Sequence, residues 1–141
     1  MLKSRTTAIA LSALLGLGLF VTPMATSARA KSGTYEVTIT NLTGAQIFSP
    51  PVVATHKPSL NVWQVGQPAL DGVWMVAESG NSGLLAQMLP GQATDVQRTN
   101  QPIKPGQSVT VRVTAEDGDV LSMVAMLAET NDGFMGVDGA S

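Results

Sequence analysis

Between residues 34 and 41 the chain alternates, with Tyr35, Val37 and Ile39 on one side and Thr34, Glu36, Thr38 and Thr40 on the other. A period of two with one apolar face predicts a half-buried antiparallel strand over Thr34–Asn41, ended by the turn residues Asn41-Leu42-Thr43-Gly44. The alternation returns at Ser108–Ala115, where Val109, Val111 and Val113 share a face after the turn Pro105-Gly106. Val120–Ala128 is almost continuously apolar, the pattern of a strand at the centre of a sheet. Asp117-Gly118-Asp119 between these two segments is a hairpin signal. Ala45–Phe48 reads as a short strand that Ser49-Pro50-Pro51 stops, and a weak strand pattern runs through Val96. Val52–Thr55 resumes extended structure. Because the diproline removes two backbone donors, that segment is expected at an edge or in a connection.

Between His56 and Gly91 the spacing changes. Leu70, Val73, Trp74 and Ala77 recur at three- and four-residue steps, which predicts a helix over Pro68–Glu78. Pro68 suits a first helical position, Asp71 lies in the first turn, and Ser79-Gly80 offers a left-handed exit. A second short helix is expected over Ser82–Leu89, capped by Asn81 or Ser82 and stopped by Pro90-Gly91. Trp63 is expected to pack beneath this block.

The chemistry is concentrated after the apolar run, in Thr130-Asn131-Asp132-Gly133-Phe134-Met135-Gly136-Val137-Asp138. Asn131-Asp132-Gly133 is strong turn chemistry, so a strand should end near Thr130. Asp132 and Asp138 flank glycines that let backbone carbonyls approach a ligand, the all-oxygen environment that suits calcium. A surface turn with solvated acids fits the spacing as well, and the repeated acids of an EF-hand loop are missing.

The 141 residues carry a formal charge of −2 and no block of like charge, which gives no footing for a nucleic-acid partner. Lys3 and Arg5, the apolar run Ala8–Val21, Pro23 and then Ala28-Arg29-Ala30 make a three-part export signal. Cleavage is expected after Ala30, so residues 1–30 are a signal peptide and Lys31–Ser141 is one exported domain, periplasmic or secreted. The apolar run is shorter than the roughly 20 residues that span a bilayer and contains Gly16 and Gly18, so no stable membrane span is expected after cleavage. With no cysteine the exported domain has no disulfide, and stability must come from packing or from a bound ion. Thiol catalysis is excluded, and one histidine cannot build a multi-histidine metal site.

Other reactive side chains read more simply as structure. His56 lacks the spacing of a nucleophile and base and is expected to be a hydrogen-bonded core histidine. Glu78 and Asp71 share a helical face, a separation compatible with paired glycosidase carboxylates, but nothing marks a sugar cleft. Met123 and Met126 read as core filling, and Trp63 and Trp74 as anchors of the helical insertion.

Several stretches then agree on one family. Thr34–Asn41, Ser49-Pro50-Pro51-Val52-Val53-Ala54-Thr55-His56 and Thr130–Asp138, with Gly66-Gln67-Pro68-Ala69 and Ala77-Glu78 between them, resemble the spondin domain, the N-terminal module of F-spondin and mindin. Exported bacterial relatives are more similar still. The resemblance implies an antiparallel β-sandwich with a short helical insertion and one calcium ion near an end of the sheets. Carried over by motif, Asp132, Asp138 and Glu78 match the acidic positions and are the expected metal ligands, with Asp95 a weaker candidate. The family continues with further strands after its Gly-Val-Asp stretch, whereas this chain ends three residues after Asp138. A truncated form, or a sandwich completed differently with an unpaired edge near the C-terminus, is therefore expected.

The function these readings imply is a non-enzymatic, exported binding or adhesion module that carries calcium and engages an extracellular or envelope macromolecule. The alternatives are a structural envelope protein without calcium, and a hydrolase using acidic residues.

Overall fold

The computed structural model describes residues 31–141. The expected signal segment Met1–Ala30 lies outside the described residues. The chain runs β1 (Ser32–Thr40), β2 (Val52–His56), α1 (Asp71–Ser79), α2 (Gly83–Met88), β3 (Ala93–Arg98), β4 (Ser108–Glu116), β5 (Val120–Met126) and β6 (Phe134–Ala140). β1 and β4 form a two-stranded sheet, and β3-β2-β5-β6 form a four-stranded one, with every ladder antiparallel. The expected mainly-β antiparallel sandwich with a short helical insertion is what these residues build.

The alternation of β1 and β4 sets their register. Val37 faces Val111 and Ile39 faces Val109 across the ladder, and Ile39 and Val113 enter a core between the sheets with Val53, Met123, Ala125, Phe48 and Ile103. On the outer face Thr38 meets Thr110 and Thr40 meets Ser108, each at 2.8 Å, while Arg112 pairs with Glu36 at 2.9 Å. A second core lies on the other side of the wide sheet, where Val52, Ala54 and Val124 pack under Val62, Val73, Val76, Leu85 and Leu89. The wide sheet is therefore buried on both faces. That burial explains why β5 reads as continuous apolar sequence.

β2 corrects the expectation of an edge position, because it lies between β3 and β5 and all five of its residues are buried. The prolines end before Val52, so every donor the two ladders need is present, and the Pro51 carbonyl accepts from Thr99 N at 3.1 Å. Asp117-Gly118-Asp119 does not close a hairpin. It carries the chain from the narrow sheet to the wide one, with Gly118 at φ 78°. Ala45–Phe48 forms only isolated bridges, from Phe48 to Ile103 and Leu127.

α1 begins at Asp71 rather than Pro68, with Leu70 as an extended N-cap, and Gly80 at φ 66° closes it by donating its N–H to Val76 O at 2.9 Å. Ser82 is the N-cap of α2 but makes no side-chain cap bond; Asn81, one residue earlier, supplies the side-chain acceptor, its Oδ1 taking the Gly83 N–H at 2.9 Å. Trp63 does pack beneath the block, edge-on to Phe134 at 5.4 Å. Trp74, expected in the core, is 52% exposed. It sits about 100° round the helix from Val73, off the face that Val73, Val76 and Ala77 bury.

Candidate functional site

The densest polar constellation lies under the helix-side face of the wide sheet. Strand alternation puts His56 of β2, Ser122 of β5 and Asp138 of β6 on that face, with His56 1% and Ser122 2% exposed. The β5–β6 register slips between Leu121 and Met123, so Asp138 and Gly139 together oppose Ser122 in a bulge, Gly139 taking φ 68°. His56 Nδ1 donates to Lys57 O at 2.9 Å, and its Nε2 meets Ser122 Oγ at 2.7 Å. Ser122 Oγ also contacts Asp138 Oδ1 and accepts from Gly139 N, both at 3.0 Å. Val62 N donates to the same Asp138 oxygen at 3.3 Å. Ser122 thus ties three strands, and Asp138 adds the segment leading to the helices. Its sequence signal was slight: Ser122 is the one polar side chain in the run Val120–Ala128.

The order of these groups differs from that of an activated nucleophile. A catalytic aspartate orients the histidine, leaving the serine open to substrate. Here the carboxylate sits on the serine, a backbone carbonyl sits on the histidine, and the hydroxyl is enclosed.

Asp132 lies elsewhere. β5 ends at Met126, and the connection to β6 folds back on itself through Leu127 N to Gly133 O at 2.8 Å and Thr130 Oγ1, which bonds Leu127 O at 2.6 Å and receives Gly133 N at 3.2 Å. The left-handed conformations fall on Glu129 (φ 63°) and Asp132 (φ 61°) rather than on Gly133. Asp132 is exposed and makes no hydrogen bond or ion pair to another described residue. Glu78 is exposed at the end of α1, whose closing Gly80 packs against Ser49 and Met126. Since Met126 pairs with Phe134, the exit of α1 and the β5–β6 turn share one end of the sheet.

Asp132 lies in the turn before β6, and Asp138 lies four residues into β6 from Phe134, about 13 Å along the strand. Of the three expected ligands, Glu78 and Asp132 lie at the turn end and Asp138 is engaged in the serine bulge. Among the described residues no group of three or more metal-ligating side chains gathers. Asp95 is committed as well, with Oδ2 accepting from Thr114 N at 2.7 Å and Oδ1 from Gln97 Nε2 at 2.9 Å, which pins β3 to β4.

One further charged pair was not foreseen. Lys57 Nζ lies 2.7 Å from Asp119 and 3.4 Å from Glu116, and the Asp119 side chain is only 1% exposed. Burial pushes the Asp119 carboxyl up, but Lys57 and the Glu116 backbone N–H together hold it below the ordinary value. The Asp119 hydrogen bond in turn raises Lys57.

The family sequence model Spondin_N matches residues 40–141, most of the chain. The chain belongs to the spondin N-terminal domain family. No curated protein matches it. In this spondin domain the matched span includes β2 to β6, both helices, the serine bulge and the Asp132 turn. No helix among the described residues is long and apolar enough to cross a membrane.

Proposed function

We propose that this spondin domain is an exported, non-enzymatic binding module that takes a calcium ion at the β5–β6 turn, with Asp132 as its principal carboxylate and Glu78 beside it. The observation that carries the site is Asp132 itself, held in a left-handed conformation with its carboxylate free of described partners. Backbone carbonyls of the turn and water are the natural remaining donors. Asp138 is left out of this set because its carboxylate already accepts from Ser122 and Val62. A set poorer than three carboxylates fits the weak end of calcium affinity, about 10⁻⁴ to 10⁻³ M, typical of extracellular modules. The non-enzymatic reading is supported by the enclosed Ser122 and by the separation of Glu78 and Asp132 from His56. Export is supported by family membership and by the Met1–Ala30 pattern, and N-terminal sequencing beginning at Lys31 is the expected result.

Thermal melting of the purified protein in chelator, in 10 mM calcium and in 10 mM magnesium tests the calcium site. At that affinity 10 mM calcium is about ten to a hundred times the dissociation constant and adds about 1.4 to 2.7 kcal/mol, a rise on the order of five to ten degrees for a domain of this size. Asp132→Asn should remove most of the calcium-specific rise, and Asp138→Asn should lower all three melts alike while preserving it. Identical melts of the parent protein in all three solutions reject the site.

A further inference from the structure

Three short turns meet beside the exit of α1. Ser49-Pro50-Pro51 leads into β2, Gly80-Asn81-Ser82 joins α1 to α2, and Arg98-Thr99-Asn100 leaves β3. Each is held by the others or by its own elements. Thr99 N donates to Pro51 O at 3.1 Å, Ser49 packs against Gly80 and takes Met126 N on its Oγ at 2.8 Å, and Asn81 Oδ1 accepts from Gly83 N at 2.9 Å. Between them lies a cavity of about 140 Å³, walled by the second and third turns together with Pro50.

The lining is one-sided in its chemistry. It holds no carboxylate, and its single charge is the guanidinium of Arg98, which is in no ion pair among the described residues. Asp95, three residues earlier on β3, is already bound to Thr114 and Gln97. Arg98 pairs with buried Val52 across the β2–β3 ladder, which fixes its backbone while its side chain stays exposed. A carbon added at Gly83 would stand 3.4 Å from Arg98 Nη1 and 3.0 Å from Asn81 Oδ1. The missing side chain thus gives the guanidinium room against the first turn of α2. Asn81 uses its oxygen on that turn and keeps its NH2 free to donate, and Asn100 adds a second amide.

Ser82 is the group that points to a ligand. It is 3% exposed, yet its hydroxyl caps no helix N–H and bonds no other described residue. Buried hydroxyls in folded proteins ordinarily have a partner, because leaving one unpaired is unfavourable. This one lines the cavity beside Arg98, where a bound acceptor can reach it.

We propose that this cavity binds a small oxyanion, a sulfate, phosphate or carboxylate group, with Arg98 supplying the charge and Ser82 Oγ, Asn81 Nδ2 and Asn100 Nδ2 the neutral donors. Guanidinium bonds to such oxygens are of the strong charge-assisted kind, and the planar fork can serve two oxygens at once. The site shares no residue with the calcium set and does not depend on it.

The test is two-dimensional amide NMR of the purified protein in chelator, titrated with sodium sulfate, phosphate or acetate at constant ionic strength and compared with sodium chloride. Saturable shifts centred on residues 80–83 and 98–100 are expected, with a dissociation constant on the order of 1 mM for at least one oxyanion. Arg98→Gln should weaken binding about tenfold or more and Ser82→Ala about threefold. Both should retain the melting temperature, since Arg98 is exposed and the Ser82 hydroxyl has no partner to lose. Arg98→Lys, which keeps the charge without the fork, should fall between Arg98→Gln and the parent. Arg112→Gln, the same charge change on the outer face of the narrow sheet, should leave binding unchanged. Sulfate and phosphate ahead of acetate assigns a tetrahedral ester group, and acetate ahead of both assigns a carboxylate; either order supports the site. Shifts that chloride reproduces, that never saturate, or that persist unchanged in Arg98→Gln overturn it. Calcium melts of the same protein keep the two readings apart: saturable oxyanion binding with flat calcium melts rejects the calcium site alone, and a calcium rise without oxyanion binding rejects this site alone.

Discussion

Ser122 Oγ lies 3.0 Å from the Asp138 carboxylate across the β5–β6 bulge and 2.7 Å from His56 Nε2, so one hydroxyl hydrogen serves two neighbours. Removing it orphans a buried ring nitrogen and weakens the bulge together. Ser122→Ala is expected to cost about 2–3 kcal/mol, the range for leaving buried polar groups unpaired. Urea unfolding measures it. A cost below about 0.5 kcal/mol would mean that the network adds nothing to folding.

Asn41 is fully buried and fully used. Its amide donates to Gln46 O at 2.7 Å and Ile103 O at 2.8 Å, and its Oδ1 accepts from Thr43 N and Oγ1. Asn41→Ala should cost about 2 kcal/mol. Asn41→Asp should cost more at neutral pH, because it turns a donor into an acceptor facing two carbonyl oxygens. Equal stabilities of the two variants would contradict the assigned amide orientation.

Gly136 lies where a methyl group would strike the Met123 carbonyl oxygen and stand 3.2 Å from Trp63 Nε1. Gly136→Ala must therefore spread β5 from β6 or displace Trp63, at a cost of about 1–3 kcal/mol. Gly44→Ala, with nothing within 4 Å of the added carbon, should change stability by less than about 0.5 kcal/mol. Paired thermal melts compare them.

Asp119 gives the acid limb of stability a defined sign. Its folded pKa is lowered, so its contribution is present above the ordinary carboxylate value and is lost as pH falls through the lowered one. Lys57 is raised, so its contribution is present below the ordinary lysine value and is lost as pH rises through the raised one. Asp119→Asn should flatten the decline of melting temperature as pH falls below the ordinary carboxylate range and cost about 1 kcal/mol near pH 7. An unchanged acid limb would show that the pair carries no linkage.

Much of this molecule follows from local pattern. Tyr35-Val37-Ile39 and Val109-Val111-Val113 announce two one-faced strands by their alternation, Val120–Ala128 a central one by its lack of any polar face, and Gly80 the end of a helix by its tolerance of positive φ. The family is legible for the same reason, since Ser49–His56 and Thr130–Asp138 are contiguous motifs. What tertiary structure alone decided is partnership. β2 became central because β3 and β5 flank it, which no feature of Val52–His56 encodes. Asp117-Gly118-Asp119 became a crossing between sheets because its strands found partners elsewhere. Asp132 stayed in the turn before β6 while Asp138 fell within the strand, where a bulge turned it toward Ser122. Tyr35 was left half uncovered although it shares a face with buried Ile39, because alternation specifies which way a side chain points and only the opposite sheet's width determines whether anything is there to cover it.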